Sequence, residues 1–167
     1  RALMTKDTRD SIVFAFISLA KQNPQRSSFT MSEIARQAGI SRQAIYQKHF
    51  QNYNDIIKYI HERADQQIFQ VFNDSCLRRE ENPIECFANF AIPLIYENRN
   101  IIRTLFITQA DPGWKEFLRD TYSKWILKNV HYNKEFDFSE DDMTYVVANM
   151  IITFIEAWIR KENPTPP

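Results

Sequence analysis

The chain has 167 residues, of which 44% are apolar and 25% are charged, a composition that allows a packed core and excludes a disordered chain. No uninterrupted apolar run has the length of a membrane span, and the first ten residues are too polar for a signal peptide. We therefore expect a cytoplasmic protein with no membrane partner. Lysine plus arginine and aspartate plus glutamate number 21 each, but residues 1–64 hold ten basic against five acidic residues. This surplus of five positive charges favours a polyanionic partner for the N-terminal part.

The sequence lacks the residue patterns that catalysis or metal binding requires. The two cysteines, Cys76 and Cys86, are too few for a disulfide framework, and we expect small packing residues in a reduced compartment, with a redox pair as the alternative. No histidine, cysteine or carboxylate pattern has metal-ligand spacing, and there is no nucleophile–base pattern or glycine-rich phosphate loop. The sequence therefore predicts no metal, no cofactor and no enzymatic activity.

The N-terminal part is predicted to form three helices. The first is expected over about Lys6–Gln22, with Thr5 as its N-cap and an apolar stripe at helical spacing. Thr30 and Glu33 form the pattern of a capping box, which opens a short helix that stops at Gly39. Ser41 is the expected N-cap of the third helix.

The rest of the chain is also predicted to be helical, because no segment alternates apolar and polar residues over the length of a strand. Asparagine, aspartate, serine and proline mark the expected helix starts. Five helices are predicted here. The first starts at Asn52–Asp55 and runs to about Arg78, and the second starts at Asn82-Pro83. The third holds Ile101 to Phe106, the fourth runs from Asp111-Pro112 to about Val130, and the fifth starts at Ser139 and ends near Lys161.

The spacing between Thr30 and Phe50 is typical of a helix-turn-helix. Ala35 lies four residues before Gly39, and a small residue there lets two helices cross closely. Gly39 supplies the positive φ that a sharp turn needs. Ile45, ten residues after Ala35, is expected to point from the second helix back into a small core.

This stretch resembles the TetR family of transcription regulators over about the first sixty residues. The matching residues are Thr30, Ile34-Ala35, Ala38-Gly39-Ile40-Ser41, Ile45-Tyr46 and Phe50. The resemblance implies an all-α chain with a three-helix DNA-binding domain over residues 1–52 and a helical-bundle ligand-binding and dimerisation domain over 53–167. Two positions depart from the family: Phe50 follows Tyr46 by four residues instead of three, and Tyr53 stands where a phosphate-binding lysine is usual.

The resemblance also implies DNA contacts. The helix that begins after Ser41 is expected to enter the major groove, with Arg42 and Gln43 at base edges and Ala44 on a thymine methyl. Gln47 is able to contact either a base or a phosphate. The residues expected to meet phosphates are Thr30, Ser41, Tyr46, Lys48 and Tyr53. For Tyr46, a role as a core aromatic stays open.

The resemblance implies a repressor that binds a palindromic operator on double-stranded DNA as a homodimer and is released by a small apolar or aromatic ligand. The alternative is a helical adaptor that keeps the fold but not operator binding. We expect a dimer interface on the last two long helices, because the final one is apolar nearly all round, with a central core helix as the alternative. The expected interface residues are Trp125, Ile151, Ile155 and Trp158. The expected pocket residues, for which an ordinary core is the alternative, are Phe87, Phe90, Tyr96, Phe106, Phe117 and Tyr122.

Overall fold

The computed structural model describes residues 7–48, 50–71, 82–133, 135 and 137–167, and within these ranges it is all-α without a strand, which confirms the predicted fold class. The helices are α1 (Thr8–Gln22), α2 (Met31–Ala38), α3 (Arg42–Gln47), α4 (Tyr53–Val71), α5 (Pro83–Cys86), α6 (Ile92–Glu97), α7 (Arg99–Ile107), α8 (Trp114–Asn129) and α9 (Glu140–Ile159).

The chain divides into two compact units. One, which we call the head, comprises Arg1–Arg63 and Ile107–Pro112, and the other, the body, comprises Ala64–Phe106 and Gly113–Pro167. The division lies inside α4, between Arg63 and Ala64. Nothing in the sequence indicated that residues 107–112, which we call the connecting segment, belong to the head.

The predicted caps of the N-terminal helices are largely confirmed. The backbone N–H of Glu33 donates to Thr30 Oγ1 at 3.2 Å, and the Thr30 N–H donates to Glu33 Oε2 at 2.8 Å, which completes the capping box. The Ala44 N–H donates to Ser41 Oγ at 3.1 Å. The first helix is capped by Asp7 instead of Thr5, which lies outside the described residues; the Asp7 carboxylate accepts the N–H of Arg9.

The helix predicted after Asn82 begins as expected, since the Asn82 side chain accepts the Ile84 N–H at 2.9 Å. A five-residue π-helical turn, Phe87–Ala91, then separates α5 from α6. Pro93 lacks the N–H of a regular helix, and the wider turn before it accommodates that loss.

Cys86 is buried and disulfide-bonded, which corrects the expectation of a free packing thiol; Cys76 lies outside the described residues.

Helices α8 and α9 pack antiparallel in the body. Near the start of α8, Lys115 pairs at 2.9 Å with Glu156, which lies near the end of α9. One turn further along α8, Arg119 Nε donates at 3.3 Å to Oδ1 of Asn149, which lies earlier in α9. Among the described helices, α9 is the one long and apolar enough to cross a membrane. Its most apolar stretch has a mean hydropathy of 1.2, and 28% of that stretch is buried. Core helices pass the same test, so this property assigns no membrane location.

Candidate nucleic-acid interface

The turn between α2 and α3 has the geometry that the sequence predicted. Gly39 has φ 70° and ψ 28°, and the Ile40 N–H donates to the Ala35 carbonyl at 3.1 Å. Ala35 is buried where the two helices meet, and Ile45 points inward and is fully buried. The Gly39 turn and the buried side chains of Ala35 and Ile45 fix how α3 is presented on the head.

Helix α3 turns one face inward and the other to solvent. Ile45 is its only buried residue, and Ala44 is half-buried. The exposed residues on α3 and at its two ends are Ser41, Arg42, Gln43, Tyr46, Gln47 and Lys48. The structure thus gathers all but two of the predicted DNA-contact residues on one exposed helix, and Thr30 is exposed at the start of α2.

The two aromatic residues of the motif have different environments. The Tyr46 side chain is 38% exposed, whereas Phe50 is 3% exposed and packs edge-on against Tyr59. Phe50 therefore fills the core position, and Tyr46 keeps its ring at the surface, where its hydroxyl can reach a phosphate.

Thr30 is held by a charged network. Both Arg26 Nη atoms donate to Glu33, at 2.8 and 3.0 Å, and the Thr30 hydroxyl also donates to Glu33 at 3.0 Å. The bonds from Arg26, and then from the Thr30 backbone, lower the pKa of Glu33 to about 2. A phosphate at Thr30 would have to compete with this carboxylate for both donors, the N–H and the hydroxyl. At Ser41, by contrast, the hydroxyl hydrogen has no acceptor among the described residues.

The structure does not support the expected phosphate contact of Tyr53. Its hydroxyl donates to the carbonyl of Ala110, and its ring packs edge-on against Phe16 with the centroids 5.4 Å apart. Burial, together with the negative charge of Asp111, raises the pKa of this hydroxyl, so it stays protonated as a donor. Tyr53 therefore joins α4 to the connecting segment.

Further contacts dock the connecting segment within the head. The Gln109 N–H donates to the Pro24 carbonyl at 2.8 Å, and the His61 ring lies 2.5 Å from the carboxylate of Asp111, which is 7% exposed. The segment is thus bonded to the loop after α1 and to two turns of α4. Sequence reasoning missed it, because its partners lie 50 or more residues away along the chain.

The six residues predicted to line a pocket all lie in the body. Tyr122 is buried, which raises the pKa of its hydroxyl, and Phe90 is half-buried. Ring contacts join Phe87 with Tyr122 and Tyr96 with Trp158. Phe106 contacts Trp114, which also stacks on Phe117.

The four predicted interface residues are not the most exposed of the apolar residues on α8 and α9. Trp125 and Ile155 are buried in the core of the single chain, and Ile151 is half-buried. Trp158 stacks on Tyr96 and donates from Nε1 to the Thr165 carbonyl at 2.9 Å. The large apolar residues that these helices expose are Leu127, Tyr145, Val146, Met150 and Phe154.

No protein-family model and no curated protein sequence matches the chain, but solved structures do. The dihydroxyacetone kinase operon activator DhaS is similar with a TM-score of 0.62 and 19% identity over 96% of this chain and 88% of that chain. NalD of Pseudomonas aeruginosa, the secondary repressor of the MexAB-OprM multidrug efflux pump, is similar with a TM-score of 0.62 and 17% identity. The match covers 94% of this chain and 87% of that chain. A TetR transcriptional regulator from Streptococcus agalactiae 2603V is similar with a TM-score of 0.65 and 20% identity. The match covers 96% of this chain and 86% of that chain. The chain has the fold of TetR-type regulators.

Proposed function

We propose that this chain, with its TetR-type fold, is a sequence-specific DNA-binding transcription regulator. The observation that carries the proposal is helix α3, which is anchored by Ile45 and presents polar and basic side chains away from the core. A short exposed helix held rigidly at a glycine turn is suited to the major groove.

The residues along α3 suggest how DNA would be read. Arg42 and Gln43 lie in its first turn, where arginine is able to bind guanine and glutamine to bind adenine through paired hydrogen bonds. Ala44, between core and solvent, is placed to touch a thymine methyl. Ser41 and Lys48, at the two ends of the helix, would contact phosphates and set its register.

We propose that the regulator is a homodimer, because one short helix contacts too few base pairs for specific binding. On α9, Val146, Met150 and Phe154 recur every four residues and are 45%, 66% and 58% exposed. They form a second apolar face, opposite the buried face of Ala148, Ile152 and Ile155. A second copy of the chain covers this face in a two-fold dimer, and the operator is accordingly palindromic.

Repression is the expected sign of regulation, since a dimer on its operator obstructs transcription. Among the similar structures, one is named an activator and another a repressor, so the fold serves both. We place the protein in the cytoplasm because its proposed partner is DNA.

We further propose that a small apolar or aromatic ligand of the body controls DNA binding. Two routes lead from body to head: the continuous helix α4, and the connecting segment, which follows α7 and precedes α8. Because the segment is bonded to α4 through Tyr53 and His61, a shift of α7 would move the head. A coupling of about 1–3 kcal/mol changes affinity five- to 150-fold.

Binding of the full chain to labelled duplexes tests the regulator against the adaptor alternative. Affinity for a random-sequence duplex should fall steeply between about 50 and 200 mM salt, because bound phosphates release counterions. An adaptor would show no binding even at the lowest salt concentration.

The aromatic probe anilinonaphthalene sulfonate tests ligand control. We expect saturable binding that weakens DNA affinity, and DNA should weaken binding of the probe by the same factor. Probe binding that is independent of DNA would contradict control through this site.

A further inference from the structure

Arg9, in the first turn of α1, contacts the end of the recognition helix. Its Nε donates to the carbonyl of Lys48 at 3.2 Å, and Lys48 is the residue that ends α3. The guanidinium carbon also lies 5.8 Å from the centre of the Phe50 ring and 5.6 Å from that of Tyr59. These contacts join α1, the end of α3 and α4 around one cation.

The surroundings of Arg9 leave its positive charge without a carboxylate partner among the described residues. Asp7 accepts the backbone N–H of Arg9 as the cap of α1, and Asp10 is paired with Arg63. The carbonyl end of a helix carries partial negative charge, which the guanidinium at Lys48 complements. Electrostatics and ring stacking therefore hold Arg9 in place without neutralising it.

Of the guanidinium nitrogens of Arg9, only Nε has a hydrogen-bond acceptor in the described part of the chain. The two Nη groups keep four N–H donors in a fixed plane, a geometry that matches the oxygens of a phosphate. Lys48, whose carbonyl holds Arg9, carries an exposed ammonium group at the same end of α3. When α3 lies in a major groove, phosphates line the groove edge that this end approaches.

We propose that Arg9 binds a DNA backbone phosphate beside Lys48, while its bond to the Lys48 carbonyl positions the end of the recognition helix. The inference rests on the proposed DNA-binding function and adds a contact from outside the helix-turn-helix. As a phosphate contact, Arg9 contributes to affinity for every DNA sequence and not to the choice of sequence.

The test measures affinity against salt concentration for the full-length wild type and for Arg9→Gln, Arg9→Met and Arg9→Lys. Each lost phosphate contact lowers the slope of log affinity against log salt by about 0.9, so Arg9→Gln and Arg9→Met should lower it by about two units in a dimer. Arg9→Lys should retain the slope. Lys161→Gln, which removes the same charge from the body, is the control and should leave the slope unchanged.

A purely structural role for Arg9 predicts a different result. The neutral variants would then unfold at a lower temperature and bind DNA more weakly, but with the wild-type salt slope, and this outcome would overturn the inference. Arg9→Met keeps an alkyl chain against Phe50 and Tyr59, so the test stands even if Arg9→Gln fails to fold. If the wild type bound no DNA at low salt, the proposed function would fail as well, which distinguishes the two failures.

Discussion

Helix α3 and the last helix α9 both present side chains that the rest of the described chain leaves exposed, but with opposite chemistry. Helix α3 exposes Arg42, Gln43 and Gln47, whereas α9 exposes Met150 and Phe154. Cations and amides suit a polyanion, while large apolar side chains in water favour a protein partner. The difference supports the proposal that one surface meets DNA and the other a second copy of the chain.

The strongest way to break this comparison is to charge the exposed face of α9. Met150→Glu with Phe154→Glu should separate the dimer, because two carboxylates would be buried without partners in the interface. Affinity for the operator should then fall to the level of non-specific binding, on the order of a thousandfold. Sedimentation equilibrium measures the mass, and fluorescence anisotropy measures the affinity.

Ile84→Glu is the matched control. Ile84 is 78% exposed on α5 and receives the same kind of substitution, yet it lies outside the proposed interface. It should leave the mass and the affinity unchanged. A Met150→Glu/Phe154→Glu variant that remained dimeric would show that α9 does not form the interface.

The next largest effect is expected at the turn that presents α3. Gly39→Val forces a β-branched residue to φ 70°, at a cost of about 1–3 kcal/mol in stability of the head. Beyond the two chain neighbours of Gly39, no heavy atom of the described residues lies within 4 Å of an added Cβ, so the cost comes from the backbone alone. Gly39→Asn should be milder, because asparagine tolerates this conformation. Equal melting temperatures for the two variants, measured by circular dichroism, would refute the strain.

The head was predictable from the sequence where its signals are local. The capping box at Thr30, the Ser41 cap and the turn at Gly39 each involve residues within five positions of one another, and all are confirmed. The DNA roles assigned to α3 stay predictions. The contacts of Tyr53 and Arg9 escaped prediction because their partners lie 57 and 39 residues away.

The body was less predictable because α9 is apolar on more than one face. Periodicity alone did not distinguish buried Ile155 from exposed Phe154, which are neighbours in the sequence. The side chains of α8 decide which face of α9 is covered, and that packing has no local signal. The same limitation applies to the π-helical turn before Pro93.

A smaller effect separates the two kinds of contact within α3. Arg42→Ala should relax specificity at one base position, at a cost of about 1–3 kcal/mol per contact. Lys48→Ala should weaken binding to all sequences and lower the salt slope by about one unit per head. Competition binding against operators with single base changes measures both. A uniform loss of affinity in both variants would refute the base contact of Arg42.

The smallest effect is expected at Glu33. Its pKa is lowered from 4.5 to about 2 in the folded protein, so its ionised form stabilises the head above pH 4.5, and this contribution is lost as the pH falls towards 2. Wild type should therefore exceed Glu33→Gln in urea-unfolding free energy at pH 7, by an amount that shrinks as the pH falls. The ion pair is exposed, so high salt should also reduce the difference. If the difference in unfolding free energy between wild type and Glu33→Gln did not change with pH, the lowered pKa of Glu33 would be contradicted.

Selection of binding sites from a random DNA pool tests the central claim most directly. The full-length chain should enrich an inverted repeat whose half-sites lie about one helical turn or a multiple apart, and two chains should bind each selected duplex. The base preferences should change with Arg42→Ala and persist with Lys48→Ala. Enrichment of no sequence above the input pool, at a salt concentration where the protein is folded, would contradict the account of this chain as a sequence-specific regulator.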